Sequence, residues 1–235
     1  MPAAFSVTAP FFEIGPKAYL YGDAVVALAQ AADALAAEYC VQVFFTPQAV
    51  DLYRVAHATQ NICVFAQHMD ALPVGRGIGA TLPEAVAAAG AKGVLLNHAE
   101  RPLPLALIDL TMQRAREVGL ATMVCAGNLE ETRQIAALAP QVLLAEAPEL
   151  IGTGKREDDD AQAIRRINEE VRRIAPQVKV LHGAGITDEQ DVYRIMLAGA
   201  EGTGSTSGIL KAADPYRMME KMIRAVRQGW DETHA

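Results

Sequence analysis

Eight short apolar runs alternate with eight stretches of helical period along the 235 residues, and this alternation predicts an α/β chain closed as a single-domain (β/α)8 barrel. Two further observations narrow the choice. The runs are apolar at consecutive positions, the mark of strands covered on both faces and joined in parallel through crossover helices. The first run is followed by Gly15-Pro16-Lys17, which is not the G-x-G-x-x-G turn that often opens a doubly wound sheet. Eight near-equal units also fit a barrel that typically takes about 250 residues.

The strands are rich in β-branched and aromatic residues. In order they are Phe11-Phe12-Glu13-Ile14, Val41 to Phe45, Ile62 to Ala66, Gly93 to Leu96, Ala121 to Cys125, Val142 to Ala145 and Val178 to Leu181. A weaker eighth covers Ala200 to Ser205. Helices are predicted near 23–39, 49–58, 82–90, 103–118, 129–138, 160–175, 187–198 and 214–229. The one long polar insertion, Gly152 to Asp160, follows strand six and ends in acidic residues that suit a helix entry. No Ser/Gly-rich or Pro-rich linker divides residues 1–235, so a single domain is expected.

Apolar residues make up 51% of the chain, enough to bury a large core. The formal charge is −7, and no run of Lys or Arg exceeds two, which argues against nucleic acid as a partner. Three cysteines without close pairs suggest neither a disulfide framework nor a zinc site, and they fit reduced thiols in a cytoplasm. No apolar stretch reaches the roughly 18 residues that span a bilayer, and the N-terminus lacks the basic start and apolar run of a signal peptide.

Working groups of such a barrel sit after the C-terminal ends of its strands. These positions hold Lys17, then Gln67-His68, Asn97-His98-Ala99-Glu100, Glu146, Gly183-Ala184-Gly185 and Ser207-Gly208. Lys17 alone reads as a surface lysine, and His98 alone as a buried, hydrogen-bonded imidazole. Glu146 abuts a fully apolar run, where desolvation would raise its pKa and suit it to general base chemistry; a structural ion pair is the alternative. The two small-residue turns after strands seven and eight let backbone N–H groups approach an anion, so together they favour a monophosphorylated ligand.

Asn97-His98-Ala99-Glu100-Arg101, the run from Glu146 through Ile151-Gly152-Thr153-Gly154, and His182-Gly183-Ala184-Gly185-Ile186 together resemble the triosephosphate isomerase family. The similarity is greatest to its compact archaeal-type branch, which Ala66-Gln67-His68-Met69-Asp70 also resembles. The resemblance implies a TIM barrel and an aldose-ketose isomerase acting on a small phosphorylated sugar, with no cofactor and no metal. It implies that Glu146 removes a proton beside the carbonyl, that His98 as neutral imidazole donates to the oxygen becoming enediolate, and that Lys17, paired by Glu100, supplies positive charge. Pro148 to Lys155 would form a lid whose Gly152 amide closes on the phosphate, and Gly183, Ala184, Gly185, Ser207 and Gly208 would complete the phosphate site. Two other readings remain open: a noncatalytic relative that binds a sugar phosphate and regulates a partner, and an aldolase using Lys17 as a Schiff base.

The chain departs from the family pattern at Gly15, where an asparagine is usual, and at Ile78, where a threonine from loop three is usual. Strand eight is small and hydroxyl-bearing over Gly202 to Ser207. If those hydroxyls do not simply bond neighbouring backbone, the added room favours a four-carbon ketose phosphate. The apolar loop three, Leu72-Pro73-Val74 and Ile78, implies a homo-oligomer, dimer or tetramer.

Overall fold

The structure is a computed structural model and describes residues 5–146, 151 and 160–234. Eight parallel strands close into one barrel in chain order: β1 (Phe11–Ile14), β2 (Gln42–Phe45), β3 (Cys63–Ala66), β4 (Gly93–Leu96), β5 (Ala121–Ala126), β6 (Val142–Ala145), β7 (Lys179–His182) and β8 (Gly202–Gly204). The ring closes where Glu13 of β1 lies level with Gly204 of β8 and, on its other side, with Phe44 of β2. The expected (β/α)8 TIM barrel is the observed architecture.

Around the strands lie α1 (Gly22–Tyr39), α2 (Leu52–Ala58), α3 (Pro83–Ala88), α4 (Leu105–Glu117), α5 (Leu129–Leu138), α6 (Asp160–Ile174), α7 (Glu189–Leu197), α8 (Ser207–Leu210) and α9 (Pro215–His234). Differences from the expected bounds have local causes. The segment predicted over 49–58 begins as a 3-10 turn, Ala49–Asp51, before α2. α3 starts at Pro83, whose fixed φ suits a first helical position. α9 runs five residues beyond the predicted 229, and its last turn carries Trp230 stacked on His234, centroids 3.5 Å apart. The short α8 was not anticipated, because four residues carry no readable helical period.

Strand residues alternate between two cores. Phe12, Ile14, Val43, Phe45 and Val94 face outward beneath the helices, while Phe11, Phe44, Phe65, Met123, Leu144 and Leu181 fill the barrel. The inner phenylalanines meet edge to face, Phe44 to Phe65 at 5.0 Å and Phe11 to Phe44 at 5.7 Å. Such pairs are worth about 0.5–1.5 kcal/mol each beyond their buried area. Glycines make room for the rings: a Cβ at Gly202 would overlap Phe11, and one at Gly93 would overlap Phe65. Glu13 follows Phe11 by two positions and so faces inward one layer nearer the mouth.

Candidate active site

Each candidate group is held by backbone geometry at the C-terminal ends of the strands. Lys17 follows β1 with φ 46°, a left-handed conformation that costs a non-glycine residue about 1–3 kcal/mol. Gln67 after β3 offsets that cost, its Nε2 donating to the Lys17 carbonyl at 3.1 Å and to the Thr46 carbonyl at 2.8 Å. Three neighbouring strand ends are thereby tied together. The Lys17 ammonium lies 2.7 Å from Glu100 Oε1, and this hydrogen bond holds the Glu100 carboxyl below the usual carboxylate range.

The loop after β4 is built on Asn97, left-handed at φ 59°. Its side chain donates to the Cys125 carbonyl and accepts the Leu103 N–H, both at 2.9 Å. This anchors His98, whose Nδ1 accepts the Glu100 backbone N–H at 3.0 Å. An accepting Nδ1 leaves the proton of a neutral ring on Nε2. Nε2 faces Glu146 Oε2 at 3.2 Å, with the two side chains 14% and 13% exposed. That approach is not aligned as a hydrogen bond, and Oε2 is buried without a hydrogen-bond partner among the described residues. Burial also drives the Cys125 thiol well up, with Glu146 and Glu13 adding to the effect. Cys125 is therefore a packed, protonated side chain.

Across the mouth, Ala184 and Gly185 are both left-handed, φ 63° and 68°, so the chain after β7 turns tightly against the cavity. The Gly183 N–H is committed to the Ala145 carbonyl at 2.9 Å; what Gly183 offers is space, since a Cβ there would stand 3.3 Å from Glu146 Oε1. Ser207 and Gly208 open α8, so their N–H groups have no carbonyl one turn back to bond. Gly152 lies outside the described residues.

A cavity of about 560 Å³ is lined by Lys17, Glu100, Glu146 and the turns at 183–185 and 207–208. A second of about 260 Å³ adds His98 to Lys17, Glu100 and Glu146. Lys17, His98, Glu100, Glu146 and the turns at 183–185 and 207–208 thus all line one of two cavities that share Lys17, Glu100 and Glu146. No group of three or more His, Cys, Asp or Glu among the described residues could hold a metal ion.

Sequence reasoning passed over Glu13, which lines both cavities. Burial pushes its carboxyl up to about 7; Glu146 adds to this, while the Thr46 hydroxyl at 2.8 Å, His98 and Lys17 pull the other way. The available signal was its phase, since alternation from Phe11 sends Glu13 into the barrel. Thr46 was likewise passed over, and Gln67 stood among the strand-end positions without a role. Of the two readings left open for strand eight, the one in which its hydroxyls bond neighbouring backbone is observed. Thr203 and Ser205 hydroxyls donate to the carbonyls of His182 and Ile186, at 2.7 and 3.0 Å, and Gly202 and Gly204 accommodate Phe11 and Glu13.

An eight-stranded α/β barrel with a carboxylate, an imidazole and an ammonium around one mouth defines a class: (β/α)8 barrels that carry titratable groups at the C-terminal ends of their strands. Residues 16–226 match the sequence model of the family described as triosephosphate isomerase. The chain is 37% identical over 220 residues to the triosephosphate isomerase of Methanosarcina mazei, covering 92% of this chain and 99% of that protein. It is 36% identical over 217 residues to that of Saccharolobus solfataricus, covering 91% and 95%. The crystal structure of triosephosphate isomerase from Bartonella henselae superposes with a TM-score of 0.77 at 17% identity over 93% of this chain and 99% of that one, which establishes the shared fold. The chain belongs to the triosephosphate isomerase family, of the archaeal type, and is an isomerase.

Proposed function

We propose that the protein interconverts the aldose and ketose forms of a small phosphorylated sugar through an enediol. Glyceraldehyde 3-phosphate and dihydroxyacetone phosphate are the substrate pair, and a four-carbon ketose phosphate is the longer candidate. The observation that carries this reading is the Glu100 N–H donated to His98 Nδ1, which leaves Nε2–H as a donor facing the cavity where Glu146 supplies an oxygen without a hydrogen-bond partner among the described residues.

Glu146 removes the proton from the carbon next to the carbonyl. His98 Nε2–H donates to the oxygen on which charge grows, and Lys17 adds its positive charge to the same oxygen. The hydroxyl proton of the neighbouring carbon passes to the former carbonyl oxygen, carried by His98 Nε2, as the proton on Glu146 returns to the carbon that held the carbonyl, so that no electron or group leaves the substrate. A positioned base is worth about 10²–10⁴ in rate, and a preorganised oxyanion donor about 10²–10³. The phosphate is held by backbone amides at Ala184-Gly185 and at Ser207-Gly208, helped by the close approach that Gly183 allows; this needs few cations and suits the net charge of −7. We read the chain as a subunit of a homo-oligomer, dimer or tetramer, because Val74 and Ile78 stand exposed on loop three. The three cysteines are free, which fits a cytoplasmic setting, and no helix among the described residues is long and apolar enough to cross a membrane.

Isomerisation of dihydroxyacetone phosphate in deuterated water, followed by NMR, tests the reading. Turnover with deuterium incorporated at the reacting carbon is expected. Binding of these esters without turnover of any three- or four-carbon ketose phosphate would overturn it in favour of a noncatalytic binder, and a borohydride-trapped adduct on Lys17 would favour aldolase chemistry.

A further inference from the structure

We propose that Glu13 is a further substrate-contacting residue of this pocket, its carboxyl hydrogen-bonding a hydroxyl of the bound sugar phosphate and thereby selecting among substrates. The inference rests on the sugar-phosphate reading above and adds a group that this reading does not use.

The backbone is shaped around this carboxyl. A Cβ at Gly15 would stand 2.7 Å from Glu13 Oε1, and one at Gly204 would stand 2.7 Å from the Glu13 carbonyl oxygen and 3.1 Å from Oε2. A glycine just beyond β1 and one on β8, the strands that meet at the barrel seam, are therefore both crowded by this one residue. Its only hydrogen bond among the described residues comes from the Thr46 hydroxyl to Oε1, so Oε2 is left with capacity to spare. The charged and titratable groups facing it are Glu146 from the end of β6, His98 from the loop after β4, Lys17 from its own strand end and the buried Cys125 thiol of β5. None forms an ion pair with it, since the Lys17 ammonium is taken by Glu100.

A carboxyl placed inside an apolar barrel with no counter-ion weakens the fold. Its presence is explained by what it faces. Glu13 lies where the cavity holding the backbone amides and the cavity holding His98 adjoin, so it faces the carbon chain between phosphate and reacting centre. Held near neutrality, the carboxyl can donate as well as accept a hydrogen bond.

The test is calorimetric binding of dihydroxyacetone phosphate, a tetrulose phosphate and inorganic phosphate to wild type, Glu13→Ala and Glu13→Gln, at pH 6 and pH 8, with thermal midpoints recorded. Glu13→Ala is expected to weaken sugar phosphates about tenfold, the worth of one hydrogen bond, and to leave inorganic phosphate within twofold. Glu13→Gln, which mimics the protonated acid, is expected to keep sugar-phosphate affinity at pH 6 and to lose the pH dependence that wild type shows between the two values. Equal affinity of wild type and Glu13→Ala for sugar phosphates would overturn the proposal, as would equal weakening of all three ligands with a lowered midpoint, which marks a structural role. Should Glu13→Ala fail to fold, a Glu13→Gln protein with the wild-type pH dependence overturns it. A protein that binds but never isomerises, yet loses sugar-phosphate affinity in Glu13→Ala, keeps this proposal and loses the isomerase reading.

Discussion

His98 Nε2 stands 3.2 Å from Glu146 Oε2, and that oxygen has no hydrogen-bond partner among the described residues. Leaving a buried acceptor unbonded costs about 1–3 kcal/mol, so the pair presents a donor and an acceptor side by side to a third group bound against both. Shortening the carboxylate by one methylene withdraws it from that meeting point. Glu146→Asp is expected to lower kcat by about 10²–10³ and to move KM less than threefold. Steady-state kinetics check this, and a KM effect with unchanged kcat would remove Glu146 from the chemical step.

The tautomer of His98 depends on one backbone N–H. His98→Gln can still offer an N–H, but not one held by the Glu100 amide, and it is expected to lose about 10²–10³ in kcat. The measurement is again turnover, with the binding of inorganic phosphate unchanged as the control for an intact fold.

Gly15 and Gly204 touch different parts of Glu13, and this makes them separable. A Cβ at 15 meets the movable Oε1, whereas one at 204 meets the Glu13 backbone carbonyl. Gly15→Ala is expected to cost about 1–3 kcal/mol in urea unfolding, most of which a second Glu13→Ala change restores. Gly204→Ala is expected to cost at least as much and not to be rescued, because backbone cannot step aside.

Burial that raises the Glu13 carboxyl to about 7 makes stability fall with rising pH. The folded state binds the proton more tightly than the unfolded chain, so the unfolded chain releases it first. The contribution is complete below about 4.5 and lost as pH passes through about 7, a change of roughly 3 kcal/mol. Compared with Glu13→Gln, wild type is expected to lose this much unfolding free energy between pH 4.5 and 7.5. Parallel denaturation curves for the two proteins across that range would refute it.

Ile78 is fully exposed and Val74 nearly as open. If loop three packs on a second copy, Ile78→Glu is expected to convert the oligomer to monomer at micromolar concentration, read by light scattering. A wild-type protein that is already monomeric there would refute the oligomer.

The barrel was legible because eight apolar runs in a row leave few ways to cover both faces of every strand. Lys17, His98 and Glu100 stood out only through the resemblance to the family, whereas Glu146 stood out because a carboxylate directly abuts a fully apolar run. Glu13 was hidden for the converse reason. It sits inside a strand, where a charge reads as a solvated interruption unless its phase against Phe11 is followed. The use of the β8 glycines was hidden for a related reason, since a missing side chain does not reveal which neighbour uses the gap. Here the neighbours are Phe11 and Glu13 on the opposite end of the sequence.

That seam between first and last strands has a consequence for how the protein comes into being. Phe11, Glu13 and Lys17 leave the ribosome well before Gly202, Gly204 and Ser207. Until β8 is synthesised, the aromatic ring and the acid of β1 have no lining strand on one side. A nascent chain halted before β8 therefore carries seven strands of the barrel yet only an unfinished pocket.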